Sequence, residues 1–359
     1  MTDTTRPTKT FDRRIVEGPL GLAVWRLAWP TMLQNMIGGL QGVIDQAMVG
    51  NYVGHIGNAA IGVSMQIFIL VIVFVASIFT GMGVLVARFA GAGDHDKVNR
   101  SVYQAFVVSL ALAFGVLAPF GYYFAPSLLR LINAAPEVQL EALPYIRIMF
   151  VFSIGMLMFF LFSGALRAAG DAKTPMRLGI LMTALNVILS VALIRGVGPI
   201  PSFGTRGAAM GTVIASGVVG LVFLYLLASN RLVIQFSGTM TYKPDLRIIR
   251  SLFRFGLPAG FQGIVMNIGG LMMLRFIGGL SVSAEAQAAY SVGYTQLFSF
   301  ITWTSVGLMG AASAMAGQNL GAARPQRSAR SARVAAGYGL GLASVIGAAF
   351  VLVPEALLA

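Results

Sequence analysis

Long apolar runs, separated by short polar connections, most limit how this chain can fold. Nine such segments can be placed, at residues 22–48, 59–87, 101–124, 143–165, 175–195, 207–228, 252–277, 288–315 and 332–353. Each is long enough to cross a bilayer, which takes about 20 apolar residues in a helix. Charged residues make up 10% of the chain, whereas a soluble domain has roughly 25%. The sequence therefore predicts an all-α polytopic membrane protein with little mass outside the bilayer.

Basic residues divide unequally between the two sides of the predicted bundle. If the segments alternate in direction, 20 of the 25 Lys and Arg residues lie on the side of the N-terminus and five on the other. Cytoplasmic loops carry such an excess. We therefore expect a multi-pass protein of the inner (cytoplasmic) membrane, with residues 1–21 as a cytoplasmic tail. The same rule explains the net charge of +13. We therefore expect the lipid bilayer, and no nucleic acid, as a partner.

An internal repeat divides the chain. WRLAWPTMLQ (25–34) matches FRFGLPAGFQ (253–262) at a shift of 228, and later matches have shifts of 229 to 230. Six segments fall within one shift, and an even number restores the same orientation, so the copies form two parallel lobes. We expect an N-lobe at 22–228, a cytoplasmic linker at 229–251 and a partial C-lobe at 252–359. About nine of twelve helices would then be present, as in a chain truncated at its C-terminus.

One acidic residue, Asp45, lies inside the first apolar segment. Gln34, Gln41 and Asp45 share one helix face with Gly38, because their spacing follows the helical period. A carboxylate within a membrane span is costly and usually functional. The alternative is that Asp45 lies near the outer end of its helix and is solvated. Pro30, in the same segment, could act as a hinge.

Other polar side chains could gather beside Asp45. Thr183, Asn186 and Ser190 share a face of the fifth segment, and Thr212 lies in the sixth. Burial disfavours the charged form of a carboxyl group, so Asp45 could carry a proton. The same oxygen atoms could coordinate Na⁺, with no other metal site expected. Ordinary hydrogen bonding between helices would equally explain Asn186 and Thr212.

Several kinds of chemistry are excluded by what the sequence lacks. There is no cysteine, hence no disulfide and no thiolate metal site. Neither GxGxxG nor GxxxxGK[ST] occurs, and no Ser/His/Asp or HExxH arrangement is present. We therefore expect no catalytic residues, no cofactor and no enzymatic activity.

On these residues the chain resembles the multidrug and toxic compound extrusion (MATE) transporters. The likeness rests on Pro30 with VIDQAMVG (43–50), GALRAAGDAKTP (164–175), LNVIL (185–189), GTRGAAMGT (204–212) and GLP (256–258). It implies twelve helices in two lobes, alternating access, and secondary active efflux of cationic or amphiphilic compounds by antiport with H⁺ or Na⁺. It places Asp45, Asn186 and Thr212 at the family's ion-coupling positions.

Two departures from the family pattern bear on the coupling ion. Ser190 stands where many members have an Asp, and Met266 where some have a Glu. With fewer carboxylates we favour H⁺. We expect a substrate cavity lined by polar residues and, at full length, a monomer. The predicted cavity residues are Gln34, Gln41, Ser190 and Gln262.

Two other functions remain open. A flippase for lipid-linked precursors has a related fold, but its pyrophosphate cargo would require Arg or Lys in the central cavity. No predicted span has a basic residue near its middle. The incomplete second lobe leaves a non-transporting membrane fragment or scaffold as the other alternative.

Overall fold

The computed structural model describes residues 10–132, 134–199, 201–236, 240–279 and 298–352, and they are almost entirely helical. A single turn, Arg14–Glu17, precedes the long helices. We number these α1 (Leu20–Tyr52), α2 (His55–Gly91), α3 (His95–Leu131), α4 (Pro136–Val151 and Ile154–Ala168), α5 (Lys173–Arg195), α6 (Thr205–Ala228), α7 (Leu246–Gly278), α8 (Phe298–Gly321) and α9 (Pro325–Leu352).

The predicted all-α membrane architecture is confirmed. Six of the described helices are long and apolar enough to cross a membrane, and α4 makes a seventh if its halves form one span. The predicted first segment is helical as α1 but is not among these six, and it carries the polar residues Gln34, Asn35, Gln41 and Asp45. The described part of the eighth segment, α8, is also helical. That α1 and α8 span the membrane stays a prediction.

Two segments differ in detail from their outline in the sequence. The fourth segment is not one straight helix, because its halves meet at a 50° bend. Gly155, just after the bend, packs directly on α6, where an added Cβ would lie 2.5 Å from the backbone nitrogen of Gly217. Helix α7 begins at Leu246, inside the predicted linker, because the Asp245 side chain accepts hydrogen bonds from the first backbone N–H groups of the helix.

Helix α2 packs against α7, α8 and the first half of α4, and α1 packs against α8 and α5. The sequence repeat pairs α1 with α7 and α2 with α8. Under this pairing the contact between α1 and α8 corresponds to the contact between α7 and α2. The packing therefore has the pattern expected of two similar halves that face each other across α2 and α8.

Two glycines make this correspondence visible at the level of atoms. A Cβ on Gly91 of α2 would overlap the carbonyl oxygen of Gln318 in α8. A Cβ on Gly321 of α8 would overlap the carbonyl oxygen of Arg88 in α2. The two contacts exchange under a shift of 230 residues, within the range of shifts seen in the sequence repeat. Small residues at such positions let membrane helices approach closely.

Residues 10–18 form a segment across one end of the bundle that contacts both halves of the chain. The Phe11 ring stacks on His95, at the start of α3, with centroids 4.0 Å apart. Ile15 is buried beside α8. Arg324 donates to the carbonyl oxygen of Val16 at 2.9 Å. This end is the predicted cytoplasmic side.

Candidate functional site

The polar site is centred on Asp45, two turns before the end of α1. Asp45 is half-buried, and the Asn186 amide from α5 faces its carboxylate. With the amide turned to satisfy its hydrogen bonds, the Asn186 nitrogen lies 3.1 Å from Oδ1 and 3.3 Å from Oδ2 of Asp45. The carboxylate is therefore held between helices rather than simply solvated.

Thr212 holds Asn186 from the other side. In the same amide orientation, the Asn186 oxygen lies 3.0 Å from Oγ1 of Thr212 and 3.3 Å from its backbone nitrogen. Asn186 is fully buried, so its donor and acceptor must both be satisfied within the protein. The three residues form a chain of polar contacts from α1 through α5 to α6.

Two more of the predicted residues lie beside the carboxylate. The Thr183 hydroxyl donates to Oε1 of Gln41 at 2.9 Å, which orients the Gln41 amide one turn below Asp45. Gln41 and Ser190 both present polar groups to Asp45. The Ser190 hydroxyl is buried and forms no hydrogen bond within the described part of the chain. This hydroxyl is therefore free to donate a hydrogen bond to the Asp45 carboxylate.

Gln34 and Gln262 are not brought to this cluster. Gln34 lies three turns away along α1, where its oxygen accepts a hydrogen bond from Arg167 at 3.3 Å. Arg167, predicted in a loop, belongs instead to the last turn of α4. Gln262 is exposed on α7, which packs against α2 and α3. A cavity role for either glutamine stays a prediction.

Pro30 lies in a continuous stretch of α1, buried between the helix start and the polar site. Proline has no backbone N–H, so the carbonyl of Arg26 lacks its usual helical partner. The neighbouring Thr31 hydroxyl donates to the carbonyl of Leu27 at 3.1 Å. This turn lacks one helical hydrogen bond, and the role of Pro30 as a hinge stays a prediction.

Sequence reasoning missed two residues near the site. Tyr145 of α4 is buried and close enough to Asp45 to interact with it electrostatically. One turn earlier on the same helix, Glu141 accepts a hydrogen bond from Thr205 at 2.8 Å. Spacing between segments could not have indicated these residues, because it does not tell which face of α4 turns toward α1. Glu141 itself was a visible signal, as a second acid close to an apolar segment.

The arrangement is one carboxylate surrounded by amide and hydroxyl groups. Within the described residues, no group of three or more His, Cys, Asp and Glu side chains could hold a metal ion. One carboxylate with neutral neighbours can exchange a proton, or offer oxygen atoms to a monovalent cation.

The MatE family model matches residues 30–192 and 258–359, which together cover most of the chain. The chain belongs to the MatE family. The two matched stretches begin 228 residues apart, the shift found between residues 25–34 and 253–262. MatE proteins are multi-pass membrane transporters and not enzymes.

Curated MatE relatives are similar over most of this chain. It is 28% identical over 336 residues to the probable multidrug resistance protein YoeA of Bacillus subtilis, covering 92% of this chain and 71% of YoeA. It is 29% identical over 269 residues to the probable multidrug resistance protein NorM of Thermotoga maritima, covering 75% of this chain and 56% of NorM.

Solved MatE structures share the fold. A multidrug resistance MATE family transporter of the MOP superfamily, in an outward-facing conformation, superposes with a TM-score of 0.88 at 21% identity. The alignment covers 97% of this chain and 76% of that one. A crystal structure of MATE in the straight conformation gives a TM-score of 0.86 at 22% identity, with 97% and 76% covered.

Proposed function

We propose that this chain exports cationic or amphiphilic compounds from the cytoplasm by antiport with H⁺, through alternating access. The observation that carries the proposal is the half-buried Asp45 carboxylate, held by Asn186 and faced by Gln41 and Ser190. Two relatives are named as probable multidrug resistance proteins, which supports drug-like compounds as the substrate class.

The proposed mechanism is competition at Asp45. A cationic substrate is attracted to the ionised carboxylate, and a proton entering from outside neutralises it and releases the substrate. Because Asp45 and Pro30 lie in one helix, a change in the packing of Asp45 reaches the weakened turn at Pro30. A bend there would move the outer half of α1 against α5 and α6.

The coupling ion follows from the number of carboxylates. Na⁺ sites need several oxygen ligands with enough negative charge, and this cluster has one carboxylate among neutral groups. Ser190 supplies a hydroxyl where a second acid would strengthen cation binding. H⁺ needs only the single carboxylate.

The alternating movement would take place between two lobes, residues 22–228 and the partial lobe from 252 onward. The repeat shift, the paired family matches and the reciprocal contacts of Gly91 and Gly321 support this division. The N-terminus would be cytoplasmic, as the distribution of basic residues indicates.

Transport by the chain reconstituted in liposomes tests the proposal. A pH gradient, acidic on the outer side, should drive export of a cationic dye, and a Na⁺ gradient at equal pH should not. Asp45→Asn should abolish export, whereas Met273→Asn, at the position in α7 that corresponds to Asp45, should leave it intact. Export by Asp45→Asn at the wild-type rate would disprove the proposed mechanism, and export driven only by Na⁺ would disprove the proposed ion.

A further inference from the structure

Two arginines converge on a small pocket at the predicted cytoplasmic end of α1. Arg14, from the first helical turn, and Arg26, from α1, both line a cavity of about 80 Å³. Gly18 and Pro19 lie between the two arginines in the sequence and also line the pocket. The pocket therefore brings together two positive charges that are twelve residues apart in sequence.

These charges are not neutralised within the protein. Among the residues that the structure describes, neither guanidinium group forms an ion pair with a carboxylate or donates a hydrogen bond. Asp12 also lines the pocket, and its carboxylate accepts a hydrogen bond from the backbone nitrogen of Arg14 at 3.0 Å. The pocket keeps a net positive charge and room for a small anionic group.

An apolar groove of about 270 Å³ lies between α1, α8 and α9. Trp25 of α1 and Tyr338 of α9 form one part of its wall, with ring centroids 6.2 Å apart. Its floor is open at Gly337 and Gly341, where an added Cβ would meet nothing within 4 Å. A flexible hydrocarbon chain fits such a groove better than a polar ligand does.

The pocket and the groove adjoin on one exposed face of α1. Leu22 and Arg26 line the pocket, and Trp25 lines the groove. These three residues share a face, because they are three and four positions apart in a helix. Tryptophan and tyrosine are typical of the level where lipid headgroups meet hydrocarbon.

We propose that this face of α1 binds an anionic phospholipid. Its phosphate lies between Arg14 and Arg26, and one of its acyl chains lies in the groove between α1 and α9. Arginine binds phosphate through charge-assisted hydrogen bonds. The apolar groove beside the charged pocket, in a membrane protein, selects a lipid over a free anion. Because Arg14 lies in the segment that joins both halves of the chain, the lipid would hold that segment against α1.

Native mass spectrometry of the purified chain tests the proposal through the lipids that it retains. The chain should bind phosphatidylglycerol more tightly than phosphatidylcholine. The double variant Arg14→Gln/Arg26→Gln should bind phosphatidylglycerol about 30-fold more weakly, since each basic residue near an anionic headgroup contributes about one factor of five. The matched control Arg247→Gln/Arg250→Gln removes two exposed charges at the start of α7 and should change nothing.

A second pair of variants tests the groove. Gly341→Leu fills it and should weaken the binding of both lipids, while Gly347→Leu, in the same helix but outside the groove, should not. Equal affinity for the two lipids, an equal loss in the α7 control, or competition by inorganic phosphate at the concentration that displaces lipid would each overturn the proposal. Circular dichroism and size-exclusion chromatography establish that each variant is folded. Since no transport is measured, these outcomes are independent of the antiport proposal.

Discussion

Helices α1 and α7 begin alike and end differently. Arg26, Pro30 and Gln34 of α1 correspond to Arg254, Pro258 and Gln262 of α7. Beyond them, α1 carries Asp45 and packs against α5, whereas α7 carries methionines that are exposed, Met266 at 69% and Met273 at 52%.

The difference shows that helix packing and the polar site are distributed differently between the two halves. Gly91 and Gly321 lie where the halves contact each other, and their reciprocal contacts preserve one geometry on both sides. Among the residues that the structure describes, this polar site lies in the first half, where α5 and α6 supply Asn186, Ser190 and Thr212 as partners. A repeat can thus keep its packing while only one copy carries the ionisable group.

The distinction between α1 and α7 would be disproved if a carboxylate supported transport equally well in either helix. Asp45→Asn/Met273→Asp moves the carboxylate to the corresponding position of α7, where the described residues form no polar cluster like that around Asp45. We expect less than a few per cent of wild-type dye export, because the transferred acid lacks the amide and hydroxyl groups that surround Asp45. Export in reconstituted liposomes measures this. Substantial recovery of transport would show that the two helices are functionally equivalent.

The reciprocal glycines test whether the framework is shared. Gly91→Ala and Gly321→Ala should each destabilise the protein by about 1–3 kcal/mol or more, because each added methyl group overlaps a backbone carbonyl. Thermal unfolding in detergent should show similar losses for the two. Gly83→Ala and Gly310→Ala, in the same helices but facing open space, are the matched controls and should be neutral or slightly stabilising. A large loss for one glycine only would contradict the reciprocal arrangement.

Asn186 tests how far the chemistry of Asp45 depends on its neighbours. Asn186→Ala removes the amide that faces the carboxylate and should lower dye export about tenfold, the effect of losing about 1.4 kcal/mol of hydrogen bonding to a charged group. Asn267→Ala, which truncates an exposed amide on α7, is the control and should have no effect. In the Asp45→Asn background, Asn186→Ala should cause no further loss. An independent, additive loss would mean that Asn186 acts apart from Asp45.

The smallest expected effect concerns the turns that precede α3 and α9. Gly93 and Ala323 occupy corresponding positions, and both have positive φ, at 74° and 58°. A non-glycine residue pays about 1 kcal/mol for this conformation. Gly93→Ala should therefore destabilise the protein by about 1 kcal/mol, and Ala323→Gly should stabilise it by up to about 1 kcal/mol. Melting temperatures that shift in the same direction for both variants would show that the turns are not equivalent.

The sequence alone predicted the helices and much of the polar site. Apolar length located the helices, although the ends that the structure describes differ from the predicted ones by up to seven residues. Helical spacing placed Thr183, Asn186 and Ser190 on the face that meets Asp45. Spacing could not show the bend in α4, because it depends on the close approach of Gly155 to α6. Nor could it find Tyr145, whose relation to Asp45 depends on how two distant helices pack.

Gln34 shows the opposite failure. It shares a helix face with Asp45, but a shared face extends along the whole helix, and its partner three turns away is Arg167. The pairing depends on the last turn of α4, which local sequence did not assign to a helix. Periodicity therefore predicts which residues share a helix face, but it does not predict which residue of another helix each of them contacts.

The central claim is that Asp45 exchanges a proton for the substrate. Proton release on addition of a saturating cationic substrate, measured in weakly buffered detergent solution, tests it most directly. Wild-type protein and Met273→Asn should release the same amount of protons, up to one per chain, and Asp45→Asn should release none. Equal release from Asp45→Asn would contradict the account, since the exchanged proton would then come from another group.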